Sequence, residues 1–396
     1  MSNKTLYTGF TLINGTGENP VENAYFLVEG NKLLTVGSGD KLPSAENIEI
    51  VNLAGKTVIP GLINCHVHIT MEPVGDPFSL MLKESQAKTA LRGTANLKKH
   101  LKSGTTYFRD LGGPDGVDLA LRDAVKEGFI EGPEFLVSCK VLTMTGGHGW
   151  PMGREADGPE ELRKAAREQL KSGADVIKIM ATGGVMTPGV EPGSPQLSKE
   201  EMEAAIIEAH KAGKKTATHA QGTTGIKNAV LAGIDSVEHG IFLDDEVIEL
   251  MVERNVYLVP TLVAPYFIVK NGVEAGIPKH AVEKARMVMG SHMESFRKAH
   301  KAGVKIAMGT DAGTPFNFHD AAPFELKLMV EGGMTPMETI VSSTKTAAEL
   351  LGVNNNYGTL EEGKFADFLV LDENPLNNLD TLFNINSVYK AGKLVK

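Results

Sequence analysis

Cysteine is scarce: Cys65 and Cys139 are the only two in 396 residues, and neither belongs to a Cys-x-x-Cys pair. That spacing excludes a disulfide framework and a structural zinc site, and both thiols, set in apolar strand-like runs, are expected to be buried and free. No apolar run approaches the ~20 residues that a membrane-spanning helix needs, so no membrane partner is expected. The stretch from Met1 to Thr16 lacks a basic region followed by an apolar core, so no signal peptide is read there and a cytoplasmic location is expected. Basic stripes and aromatic-interleaved Lys/Arg clusters are missing, which argues against nucleic acid, and the formal charge of −9 is spread along the chain. Low-complexity segments are missing too. So are Gly-x-Ser-x-Gly and a Cys/His pairing, which removes the support for a covalent hydrolase.

What is present is a chain long and apolar enough, at 42% hydrophobic, to bury one large core and a smaller one. From Leu6 to about Leu53 the runs Phe10–Ile13, Ala24–Val28 and Lys32–Val36 are β-rich and broken by Asn14-Gly15 and Gly30-Asn31. After Pro60 short apolar strands alternate with helical stretches. The strands expected are 58–69, Thr105–Leu111, Glu134–Leu142, Asp175–Ala181, Lys215–Ala220, Ser236–His239, Tyr257–Leu262 and Lys305–Gly309. The helices include Ser85–Lys102, Pro159–Lys171, one opened by the capping box Ser198-Lys-Glu-Glu201, His280–Lys301 and Ala322–Glu331. Several end in Lys followed by Ser-Gly or Ala-Gly, a C-terminal signal. Eight such units predict an α/β fold, a (β/α)8 TIM barrel over 58–351. An open doubly wound sheet is the rival, but the Gly-x-Gly-x-x-Gly turn it usually carries is missing. Beyond Gly352 the β-type runs Phe368–Leu371, Ser387–Tyr389 and Lys393–Val395 return. The two ends, 1–57 and 352–396, are therefore expected to pair into one small β-sandwich domain.

In such a barrel the site gathers at the C-terminal ends of the strands. His66 and His68 alternate at the end of the first, so they share a face ~7 Å apart along the chain. Two imidazoles there are half of a metal site or simply two polar residues at a strand end. Other strand ends supply His219, His239 and Asp311, and the fourth strand holds Lys178 inside Val176-Ile-Lys-Ile-Met180. A buried ammonium is costly. Lys178 can snorkel or pair with a carboxylate, lose its proton through a large pKa drop, or become an anionic carbamate by taking up CO2.

These residues carry a resemblance. Pro60-Gly-Leu-Ile-Asn-Cys-His-Val-His68, Lys178, Ser236-Val-Glu-His-Gly240, Met308-Gly-Thr-Asp-Ala312 and the tail Gly358–Leu371 resemble the amidohydrolase superfamily of metal-dependent hydrolases over nearly the whole chain. The resemblance implies a binuclear site. His66, His68 and Asp311 would hold one divalent metal, and His219 and His239 the other. A carbamate on Lys178 and a hydroxide would bridge them. Zinc is the metal by ligand type, with cobalt, manganese and nickel accepted by the same donors. Hydrolysis would proceed by attack of that hydroxide on an amide carbonyl, with Asp311 as the catalytic proton acceptor that passes the proton to the leaving nitrogen. Asn64 stands where many members have Asp, which is read as tuning from outside the ligand set.

Within the superfamily the chain looks like the prolidase-like and carboxypeptidase-like branch, which implies an Xaa-Pro dipeptide or N-acyl amino acid as small-molecule substrate. Thr145-Gly-Gly-His-Gly149 resembles a loop whose histidine, here His148, helps hold the substrate carboxylate. Residues 182–195 resemble a lid. Gln221 occupies a substrate-binding position where carboxylate-binding members often have Tyr, which puts dipeptide specificity in question. A homo-oligomer is expected by family. His100, His210 and His300 are expected to be solvated, His280 and His292 give no motif, and His319 lies close enough to the mouth to be a substrate contact. The alternatives are the same scaffold acting on a cyclic amide, a deamination or an organophosphate ester, and a dead barrel. All six ligand positions are filled, which argues against the last.

Overall fold

The computed structural model describes residues 4–39, 41–43 and 48–396. Positions 1–3, 40 and 44–47, which belong to the expected N-terminal unit, lie outside the described residues. Five strands come first: β1 (Lys4–Leu12), β2 (Val21–Glu29), β3 (Lys32–Ser38), β4 (Ile48–Asn52) and β5 (Thr57–Pro60). The next nine alternate with helices: β6 (Leu62–Val67), β7 (Thr105–Asp110), β8 (Glu134–Val137), β9 (Val141–Thr143), β10 (Gly153–Glu155), β11 (Val176–Met180), β12 (Lys215–Ala220), β13 (Ser236–His239) and β14 (Tyr257–Val259). Three strands close the chain: β15 (Phe368–Leu371), β16 (Ser387–Lys390) and β17 (Lys393–Leu394).

Both chain ends meet in one eight-stranded sheet, because β5 pairs antiparallel with β15 and parallel with β1. Its strands bury Tyr7, Phe10, Phe26 and Phe368 in a shared aromatic cluster. By hydrogen bonding this is a single sheet.

The expected first strand, 58–69, is in fact two strands in different sheets. Gly61 is the break: its N–H donates to Asp367 O of the terminal sheet, and Leu62 N–H donates to Gly104 O beside β7. A Cβ at Gly61 would sit 2.2 Å from Thr106 Oγ1, so only glycine lets the chain cross here.

Two parallel sheets follow, β6-β7-β8 and β10-β9-β11-β12-β13-β14. Backbone bonds join them at both edges. Asp175 N–H donates to Val137 O at 2.8 Å on one side. On the other, the segment 305–312 lies between β14 and β6, with Leu258 N–H to Lys305 O at 2.9 Å and Cys65 N–H to Met308 O at 2.8 Å. That segment is not the regular strand expected over Lys305–Gly309. Met308 N–H turns out to Ser342 O, and Asp311 has φ 60°, so the ladder is interrupted. The expected strand Glu134–Leu142 is likewise split, at Cys139 with φ 58°.

The predicted helices stand, with Ser85 capping Gln86–Lys102 and the Ser198/Glu201 capping box opening Lys199–Lys211. The Lys-Ser-Gly and Lys-Ala-Gly endings work as read, because Gly104 and Gly213 take left-handed φ values of +89° and +66°. Both cysteines are buried and free. Among the described residues no helix is long and apolar enough to cross a membrane.

Candidate active site

Strand ends set the floor of a cavity. His66, His68, Lys178, His219, His239 and Asp311 all line it, as do His148 and Gln221. The eight residues singled out from the sequence thus share one cavity. His66 Nε2 and His68 Nε2 each lie 3.2 Å from Asp311 Oδ1, and the donor atoms of this buried trio fall within 4.8 Å of one another. Donors bound to one zinc at ~2.0–2.1 Å in a tetrahedron stand roughly 3.3 Å apart, so the trio fits a divalent cation. His239 and His219 continue the cluster, with ring centroids 4.6 Å from each other and His239 5.3 Å from His66.

The ring nitrogens are assigned by their outer partners. His66 Nδ1 faces Glu238 Oε2 at 2.9 Å and His68 Nδ1 faces Gly112 O at 3.0 Å, so both donate from Nδ1 and leave Nε2 as a lone pair toward Asp311. Thr261 Oγ1 gives its proton to Pro260 O and must accept from His239 Nδ1 at 2.7 Å, which frees Nε2 of His239. His219 is reversed: its Nε2 faces Gly183 O at 3.3 Å, and Nδ1 is the free nitrogen. Burial holds His219 well below its ordinary pKa, with the His148 and His239 imidazoles adding to it. It holds His239 down likewise, against the opposing pull of Asp311. His219 and His239 are thus held neutral, as metal ligation requires, whereas His68 goes the other way: burial would lower its pKa, but Asp311 raises it.

Lys178 is 1% exposed in the cavity-facing row of β11 and has no carboxylate within salt-bridge distance among the described residues. Burial lowers its pKa to about 8, opposed by the charges of Glu238 and Asp311. Burial alone would raise the Asp311 pKa, but protonated His66 and His68 rings would take it well below the carboxylate range; with both rings neutral, that role would fall to a bound cation.

Glu238 and Arg109 were not picked out from the sequence. Arg109, fully buried, donates from Nη2 to Glu238 Oε1 at 2.8 Å and from Nε to Cys65 O at 2.7 Å. Burial alone would raise the Glu238 pKa, but Arg109 and then His66 bring it down to about 2. Glu238 precedes His239, and simple alternation would put the two on opposite faces. The left-handed backbone of His239, φ 73°, breaks that alternation and lets both serve the cluster. Asn64 also proves to be structural support: its side chain bonds Thr310 Oγ1, Thr310 N–H and His66 N–H, tying β6 to the segment that carries Asp311.

The remaining histidines correct the sequence reading. His100 is buried, not solvated, and its Nε2 meets His319 Nδ1 at 3.1 Å. His319 bonds Met71 O and is absent from the cavity wall, so it is no substrate contact. His292 does line the cavity, with Nε2 donating to the carbonyls of His239 and Pro260. Position 292 sits in a helical pattern that gave no signal. His210 and His300 are partly exposed, as expected, with Asp235 and Glu338 beside them.

Comparison with known proteins places this geometry in context. The model of the amidohydrolase family matches residues 57–395. Ochratoxinase from Aspergillus niger is 34% identical, over 99% of this chain and 86% of that protein. A solved Xaa-Pro dipeptidase with methionine bound in its active site superposes with a TM-score of 0.92 at 34% identity over the full length of both chains. A prolidase complexed with N-methylphosphonate-L-proline superposes at 0.93 with 30% identity, again over both whole chains. These neighbours agree with the prolidase-like resemblance read from the loops.

Proposed function

Because the chain belongs to the amidohydrolase family, a family of metal-dependent hydrolases, we propose that it cleaves the C–N bond of a small N-acyl amino acid or dipeptide-like amide. One observation carries the reading: three buried donors, His66, His68 and Asp311, converge within 4.8 Å on the floor of a mostly apolar cavity.

His66, His68 and Asp311 would hold one divalent cation, zinc by donor type, and His219 and His239 a second, with Lys178 between them. Bound there, the cations would lower the pKa of a water and polarise the scissile carbonyl. Lys178, brought to about 8 by burial, has a fraction of neutral amine near pH 7. That neutral Nζ would add to the carbon of CO2 and release one proton to solvent, and the resulting anionic carbamate would supply negative charge to the cations. The Asp311 carboxylate, held deprotonated, takes a proton from the attacking water and delivers it to the leaving nitrogen. His148, with Nδ1 on Thr187 Oγ1 at 2.8 Å, is held over the cavity to orient substrate.

The scaffold is read as a closed (β/α)8 barrel over 58–351, supported by the bonds that join the two parallel sheets at both edges. The shared sheet of 1–57 and 352–396 is assigned to a flanking β-sandwich unit. A cytoplasmic homo-oligomer is the family expectation carried over.

The reading is tested by incubating metal-loaded protein with Xaa-Pro dipeptides and N-acyl amino acids and following release of free amine. Hydrolysis of at least one class is expected, with kcat lowered by roughly 10²- to 10⁴-fold in Asp311→Asn. Full activity in that variant, or no amine released from any member, would overturn it.

A further inference from the structure

β14 runs into the helix Val263–Asn271 without a cap of its own, because the residue at the cap position is Leu262, whose side chain carries no acceptor. Glu325, on the helix Ala322–Glu331, supplies the acceptors from outside. Its Oε1 takes Leu262 N–H at 2.9 Å and its Oε2 takes Val263 N–H at 2.8 Å. Glu325 is fully buried. Burial pushes its pKa up to about 8, and the two N–H groups pull against that rise with no cation beside them. A buried carboxyl so placed is a costly cap, since a Ser or Asp at position 262 would satisfy the helix from local sequence. What Glu325 adds is a grip on residues 262 and 263 from a second helix.

That grip falls next to a strained residue. Thr261 has φ 53°, a left-handed backbone that β-branched side chains rarely adopt and that persists only where its neighbours over-determine it. Both sides are held here. Pro260 O accepts from His292 Nε2 at 2.8 Å, and the two N–H groups that follow Thr261 belong to Glu325. So held, Thr261 Oγ1 donates to Pro260 O and accepts from His239 Nδ1, both at 2.7 Å. Thr261 is as buried as Glu325, so solvent cannot stand in for a lost bond.

We propose that Glu325 is a positioning residue for His239: by fixing Leu262 and Val263 it holds Thr261 in the backbone conformation that sets Oγ1 on His239 Nδ1, and so fixes the nitrogen that His239 offers to a cation. Glu325 lines no part of the cavity and acts only through Thr261. This rests on the metal-dependent reading above, in which His239 helps hold the second cation, and adds to it a residue that never meets the substrate.

The test is a double-mutant cycle on the full-length protein, read as zinc affinity by competition with a chelator. Thr261→Val removes the acceptor for His239 at nearly unchanged shape. Glu325→Gln sets an amide donor against one of the two gripped N–H groups. Each is expected to weaken one of the two cations by about 10- to 100-fold. The double variant is expected to lie within about threefold of the weaker single, because both changes break one chain of contacts. Thr261→Ser, which keeps the hydroxyl, is expected to stay within about threefold of the unaltered protein. Unchanged affinity in Glu325→Gln, or losses that multiply in the double variant, would overturn the inference. A second measurement needs no variant to fold: in the unaltered protein, zinc loading is expected to slow amide exchange across 260–264 more than across β2, since linkage is reciprocal. Equal slowing in both would also overturn it. A chain that shows the cycle but hydrolyses no amide keeps this inference and loses the hydrolase reading. An active hydrolase with multiplying losses does the reverse.

Discussion

Glu238 serves three neighbours at once, taking the guanidinium of Arg109 and the hydroxyl of Ser236 on Oε1 and the Nδ1 proton of His66 on Oε2. It thereby fixes which nitrogen of His66 is offered to a cation and supplies a negative charge beside Lys178. Glu238→Gln keeps the shape but gives up the charge, so divalent-cation affinity is expected to fall by about 10- to 100-fold, read by competition with a chelator. Unchanged affinity would show that His66 is oriented without it. At this scale the cavity-floor residues His66, His68, His219, His239 and Asp311 were legible in the sequence because each is a polar residue of metal-binding type at the end of an apolar run. Arg109 and Glu238 were not. An arginine inside Thr105–Asp110 announces nothing until β7 is placed against β13, and the alternation rule that Glu238 breaks fails only because His239 takes a left-handed backbone.

Among the elements, the segment 182–195 decides how the cavity is covered. Its neck is closed by Gly183 N–H to Ser194 O at 2.8 Å and by the bridge between Thr182 and Pro195. Its crown is held from the helix Lys279–Lys301. Lys284 Nζ donates to Thr187 O at 2.9 Å and to Val190 O, and His280 Nε2 donates to Met186 O at 3.2 Å. Val185 and Met186, which line the cavity, hang on that anchorage. Lys284→Met should release the crown, raising KM on the order of tenfold and speeding hydrogen exchange at the amides of 183–190. Exchange rates that do not change would contradict the anchoring role. The loop could be located from its Gly and Pro content, but its anchor could not. Lys284 reads in sequence as one more lysine of an amphipathic helix, and only the packing of that helix over the strand ends aims it inward. Helix termini, by contrast, were legible because caps are local chemistry: Ser198 and Glu201 need only each other.

For the molecule as a whole, buried neutral histidines set the acid limit. Burial lowers His292 and His319 to about 4 each, against an ordinary value of about 6.5 in the unfolded chain. Between those values the unfolded chain binds protons that the folded chain refuses, so stability is lost as pH falls from about 6.5 to about 4. A thermal melt series over that window is expected to show the decline in Tm, with a shallower slope in His319→Gln; an unchanged slope would assign the decline to other groups. The overall architecture was largely readable, since alternating strands and helices and two β-rich ends admit few arrangements. The crossing at Gly61 was not, because Val58–His68 is one apolar run and only the Thr106 side chain packed against Gly61 forces the change of sheet. The proposed two-cation centre on these strand ends can be counted by elemental analysis. Two divalent cations per chain are expected in the unaltered protein, with fewer in Lys178→Ala and amide hydrolysis lost alongside them. A Lys178→Ala chain that keeps its metal and its activity, or a metal-free chain that hydrolyses at an undiminished rate, would contradict the account.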